Sequence, residues 1–238
     1  MNKSAMPAQA GLEWLWSGLQ LWRSRPQAMA VVALTCAVAT ILPWVGGLLS
    51  ALVIPLAYGG LIRWLDRSKH DSARGPLDAV IEGRCWQRLI VLSAPLLVLW
   101  LLGLLLGSMF SGDAQTSAVA GSNLVLARLG IGTILLPVLM VAVLVVVLML
   151  LFFSIPAVAL RDAEPVQALR DGWQQSVHNL QALLVLAAAL FLAAFVLSAL
   201  LVSMGGGLLA AALVSLLVHP VLAAAMWAAD RDLHRDDD

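Results

Sequence analysis

Charge-free apolar stretches alternate with short charged segments along the 238 residues of this chain. A hydrocarbon core takes roughly 20 apolar residues per helical crossing, and the stretches are read against that length. Six spans follow, at about 27–43, 46–62, 89–110, 131–158, 180–203 and 205–229. The first two share an uncharged run from Pro26 to Ile62, broken only at Pro43-Trp44-Val45-Gly46-Gly47, which reads as a tight hairpin. The last two share the run from Asn179 to Ala229, broken at Gly205-Gly206-Gly207. The fourth run reaches about Leu160 and exceeds one crossing, so it is expected to tilt, kink at Pro137 or Pro156, or protrude. Six crossings return both termini to one side.

Between these runs the pattern changes to helical amphipathicity. Over residues 11–24, Leu12, Leu15, Trp16, Leu19 and Trp22 recur at helical spacing, with Glu13, Ser17, Gln20 and Ser24 opposite. Residues 76–88 carry Leu77, Val80, Ile81 and Cys85 on one side and Asp78, Glu82 and Arg88 off it. Residues 165–178 open on Pro165, with Asp162 or Glu164 placed to cap, and carry Val166, Leu169, Trp173 and Val177 as a stripe. Each precedes a span and suits the headgroup region. The expected fold is all-α, one integral membrane domain of six transmembrane helices with three cytoplasmic-side interfacial helices.

Charge sets the orientation. Thirteen of fourteen Lys and Arg residues, and thirteen of fourteen Asp and Glu residues, fall in 1–25, 63–88, 161–178 and 230–238. Basic residues in short loops stay cytoplasmic, so these segments and both termini are expected there. Arg128 and Asp113 are placed in one external loop. Composition agrees, with 61% hydrophobic and 12% charged residues. Zero net charge excludes a nucleic-acid surface. The first apolar stretch starts after Pro26 and runs past a signal peptide's core, so it reads as a retained span. Cys36 and Cys85 fall in different environments, and no disulfide, zinc or haem motif is present, so neither cofactor nor metal is expected.

The units resemble one another. Each holds an interfacial helix and two spans, with a proline in the second span and an Arg/Asp pair at its exit: Pro55 to Arg63 and Asp66, Pro156 to Arg161 and Asp162, Pro220 to Asp230 and Arg231. A threefold repeat and chance both account for this. The stretch through Pro165, Ala168, Leu169 and Asn179, with Trp22-Arg23-Ser24-Arg25-Pro26 at the opening and Pro220 to Ala224 before Arg231-Asp232 at the close, resembles an uncharacterised family of multi-pass bacterial inner-membrane proteins. A broader similarity reaches the membrane domain attached to some glycerophosphoryl diester phosphodiesterases. Two positions depart from the family pattern, Gly172 where Ser is usual and Arg25 where Asn is usual, and no hydrogen-bonding role is carried over to them. The resemblance implies six spans and a bacterial inner-membrane address, and no chemistry.

Within the spans His219 is the one ionisable side chain at depth, and with Pro220 it forms the candidate intramembrane polar site. Its roles are a proton relay, or a neutral imidazole bonded to a carbonyl freed by Pro220 or to a hydroxyl on another span. Gly103 and Gly107, as a GxxxG pair, and Gly59 and Gly60 are candidate packing positions. His70 and His178 have no partners at ligand spacing. The first reading of function is a non-catalytic accessory, scaffolding or lipid-organising protein. The alternative is a transporter or channel for an apolar or amphiphilic solute such as a lipid. The partners expected are the lipid bilayer and, as a further alternative, a membrane protein or a second copy. With Cys85 on the cytoplasmic side, an impermeant thiol reagent is expected to reach it only after that face is opened.

Overall fold

A computed structural model describes residues 5–42, 45–67, 75–81, 85–116, 123–203 and 207–234. Among them every regular element is a helix. In chain order these are α1 (Gln9–Ser24), α2 (Pro26–Ile41), α3 (Gly46–Arg67), α4 (Pro76–Ile81), α5 (Cys85–Val91), α6 (Ala94–Thr116), α7 (Asn123–Arg161), α8 (Pro165–His178), α9 (Leu180–Ser203) and α10 (Gly207–His234). The protein is an all-α, multi-pass helical membrane protein. The turns expected at Pro43-Trp44 and Gly205-Gly206, and His70, lie outside the described residues.

Five helices are long and apolar enough to cross a bilayer: Gly46–Arg67, Cys85–Leu105, Val138–Arg161, Leu180–Ser203 and Ala212–His234. The expected first span is shorter than read, because α2 stops at Ile41 after 16 residues. At about 1.5 Å per residue it reaches about 24 Å, against a core of about 30 Å. The helix expected over 76–88 is two short pieces, α4 and α5. The path from α5 into α6 bends at Leu92 and Ser93, where the Ser93 N–H donates to the Ile90 carbonyl at 3.0 Å. The external loop also shrinks. α6 continues to Thr116 and α7 begins at Asn123, so Asp113 and Arg128 belong to helices, whose lengths exceed one crossing.

The second spans α3, α7 and α10 pack on one another at the centre. Around them, α2 lies against α3 and α10, α6 against α3 and α7, and α9 against α10. Each interfacial helix seats on the second span of the preceding unit: α4 on α3, α8 on α7, and α1 on α10, where it also meets α9. The arrangement is cyclic, which supports the threefold repeat. A sequence signature missed by reading the span exits accompanies it. Pro7, Pro76 and Pro165 open the three segments, and three residues on, Ala10, Ala79 and Ala168 are all buried. An acid follows three further on, at Glu13, Glu82 and Asp171.

Small residues make this seating. The buried positions of α8 are Pro165, Ala168, Gly172 and Ser176, and those of α1 are Ala10, Gly11, Trp14 and Gly18. A β-carbon on Gly172 would press on the Leu150 carbonyl and the Ser154 backbone of α7, each 3.0 Å away. On Gly11 it would meet the backbone of Ala182 and Leu186, and on Gly18 the Val221 carbonyl at 2.7 Å. Gly59 does the same for the Leu89 side chain, with Gly60 buried beside it, and Gly47 for the Trp100 ring. Gly103 is different, since an added carbon would reach only the tip of Met140 at 3.4 Å. The surroundings of Gly107 lie outside the described residues. GxxxG spacing alone therefore pointed to a place where no backbone approaches closely. Replacing Gly172 or Gly11 with Ala is expected to lower stability by about 1–3 kcal/mol, the usual range for overpacking. Gly103→Ala should cost less than about 0.5 kcal/mol because Met140 can swing aside. Reversible unfolding in mixed micelles, compared across the three variants, checks the ranking.

Candidate functional site

Two sites stand out, one at the charged end of the bundle and one inside it. The charged end is built by the exits of the three second spans. Arg63 of α3 meets Asp162 at 3.5 Å, just past α7, and Arg161 of α7 donates two bonds to Asp230 of α10 at 2.9 and 3.1 Å. Asp230 is buried, and His234 stands one turn on with its Nδ1 3.7 Å away. Arg88 of α5 bonds the Asp162 carbonyl and lies 3.5 Å from Glu164. Asp162 ends α7 in the left-handed conformation, at φ 51°, which Asp tolerates better than most residues. Neither expected cap forms. Glu164 occupies the N-cap of α8 without a side-chain bond, while Pro165 does sit at the first turn.

The family-signature positions are all structural here. Pro165 and Ala168 are buried, Leu169 packs on the core, and Asn179 is buried at the end of α8. The Asn179 side-chain oxygen accepts from the Met6 N–H at 2.9 Å, and its amide donates to the Gln175 carbonyl at 2.9 Å. Ser154 of α7 occupies the room left by Gly172 and donates to the Ala168 carbonyl at 2.9 Å. Ser176 donates back to the Met149 carbonyl. From α1, Trp14 inserts its ring against Phe152 and Phe153, with centroids 6.0 and 6.4 Å away, and donates Nε1–H to Asp232 at 2.9 Å. Cys85 is only 1% exposed, with its sulfur facing the Val158 carbonyl. The folded protein thus shields it from bulky thiol reagents, and the labelling expected from its place in the sequence does not follow.

Inside the bundle, His219 finds a partner that a search for charged groups had missed. The Tyr58 hydroxyl on α3 lies 2.7 Å from His219 Nδ1 on α10. An imidazole accepting at Nδ1 carries its own proton on Nε2, so the pair is satisfied without any charge. Of the two readings of His219, the geometry fits the neutral imidazole bonded to a hydroxyl on a neighbouring span. Cys36 of α2, also buried, is within electrostatic reach of Tyr58. Tyr58 is the one tyrosine in the chain and sits in an uncharged run, a signal that was available.

The close-packed core lies toward the charged end, through 57–62 of α3, 151–159 of α7 and 220–230 of α10. On the far side of the Tyr58–His219 level, α3 and α10 are only half-buried. There the hydroxyls of Ser50 and Ser215 are covered and have no hydrogen-bond partner.

These features define a multi-pass membrane protein whose polar groups gather at one end and along one interior seam. No family model, curated protein or solved structure matches the chain. Tyr58→Phe leaves His219 Nδ1 unpaired and is expected to destabilise by about 1–3 kcal/mol, whereas Tyr58→Phe with His219→Leu removes both partners and should recover much of that. A double-mutant cycle measured by unfolding in micelles should return a coupling of about 0.6–1.7 kcal/mol.

Proposed function

We propose that this protein is a non-catalytic scaffold of a bacterial inner membrane, with both termini cytoplasmic, whose interfacial helices organise the adjoining lipid leaflet. One observation carries the reading. All three interfacial segments turn their small residues to the spans and their large apolar residues outward. Trp16 is 62% exposed, Trp86 41% and Trp173 40%, each flanked by exposed apolar neighbours such as Leu12 and Leu19, Ile81 and Ile90, or Val166 and Val177. Three tryptophan-bearing faces on one rim match the headgroup region, where an aromatic ring has apolar and wet surroundings together.

The orientation rests on charge. Ion pairs join the exits of α3, α7 and α10 with α5 at a single end, and the basic residues outside that end amount to Arg128 alone. The resemblance to uncharacterised inner-membrane proteins points to the same address. The lipid bilayer is the partner this function requires. Transport of an amphiphile is the second reading, favoured by the partnerless hydroxyls of Ser50 and Ser215.

The test compares the protein with a W16F/W86F/W173F variant in vesicles of phosphatidylcholine brominated near the headgroup or near the chain ends. The fluorescence lost between the two proteins should be quenched about twofold more by the shallow bromines, because interfacial rings sit at headgroup depth. Equal quenching at both depths, or stronger quenching by aqueous iodide, would place the rings elsewhere and end the proposal.

A further inference from the structure

The interior seam between α3 and α10 has a repeated chemical design. Residues 50–55 read Ser-Ala-Leu-Val-Ile-Pro and residues 215–220 read Ser-Leu-Leu-Val-His-Pro. Proline has no N–H, so Pro55 leaves the Ala51 carbonyl and Pro220 leaves the Leu216 carbonyl without its helical donor. In each copy the serine stands immediately before the freed carbonyl. Both hydroxyls are covered and partnerless.

The two copies share one depth frame. Tyr58 lies as far along α3 from Gly46 as His219 lies along α10 from Gly207, and the two side chains meet. Ser215 is then one helical turn above the pair and Ser50 one turn above that. The result is a ladder of hydroxyls and freed carbonyls, floored by Tyr58–His219 and flanked by half-buried helix surface that a lipid chain can reach.

The ladder has acceptors in excess and no charge. A ligand for it must bring a hydrogen-bond donor. A charged head would lose far more on entering this depth than a hydroxyl would, since no counter-ion is provided among the described residues of the ladder. A single alcohol can donate to a freed carbonyl while accepting from a serine, which satisfies two groups at once.

We propose that the α3–α10 seam is a binding site for an uncharged, hydroxyl-bearing lipid of the diacylglycerol class, held by Ser50, Ser215 and the carbonyls freed by Pro55 and Pro220. This goes beyond the interfacial helices and leaves their role untouched, because the site lies within the membrane and on different residues.

The experiment uses the full chain in phosphatidylcholine vesicles with diacylglycerol carrying a photoactivatable acyl chain, beside the same probe with its hydroxyl acetylated. Labelling of α3 and α10 peptides should be about fivefold stronger with the free hydroxyl, roughly the factor one net hydrogen bond gives. In S50V/S215V the free-hydroxyl probe should fall to the level of the acetylated one. Equal labelling by the two probes on the unmodified protein, or undiminished labelling of a folded S50V/S215V, would overturn the proposal. Should the double variant fail to fold, the comparison of probes on the unmodified protein still decides.

Discussion

A helix backbone resting directly on another helix backbone is the contact from which the rest of the molecule follows. Apolar side chains gain nothing from leaving lipid for protein, so association inside a bilayer depends on close packing and on polar groups finding one another. At Gly11, Gly18 and Gly172 the missing side chain lets an interfacial helix settle onto carbonyls of a span. That proximity brings Ser154 and Ser176 within reach of carbonyls across the joint, and it lets Trp14 enter between Phe152 and Asp232. Because the small face is committed inward, the large apolar face is left to the lipid. The seating of these helices and their membrane-facing character are two sides of one fact.

The second spans obey a complementary rule. Their charged exits are drawn into pairs, with Asp230 buried against Arg161, and Asp162 shared between Arg63 and the Arg88 contact to its carbonyl. Three chains of packing thus end in a single electrostatic knot. Above it the helices are tight, and beyond the prolines they loosen. The prolines mark the change because each removes one internal bond and exposes one carbonyl.

Much of this was legible as hydropathy. The spans over 180–203 and 46–62 coincide closely with α9 and the apolar part of α3, because a charge-free run of the right length has few other solutions. What periodicity could not reveal was which side of an amphipathic helix meets protein. The stripe Val166, Leu169, Trp173, Val177 was plain, yet Ala168, Gly172 and Ser176 do the docking, and hydropathy is nearly blind to small residues. Spacing likewise put Gly103 forward, although whether glycine is needed depends on the neighbour's distance. His219 was found by its charge, whereas Tyr58 became visible only when α3 and α10 were placed side by side. The ends of α6 and α7 outran their apolar cores because helical bonding continues past the bilayer edge.

The seating of α1 on α9 and α10 joins the first helix made to the last. A ribosome delivers α1 while its cradle is still unsynthesised, so the helix must wait at the membrane surface through nearly the whole of translation. Its exposed Trp16, Leu12 and Leu19 give it a lipid surface to wait on, and Trp14 acquires its ring and carboxylate neighbours only after the final span has entered. Closure of the ring is therefore a post-translational event, and the bond from Trp14 to Asp232 is a record that the whole chain has arrived.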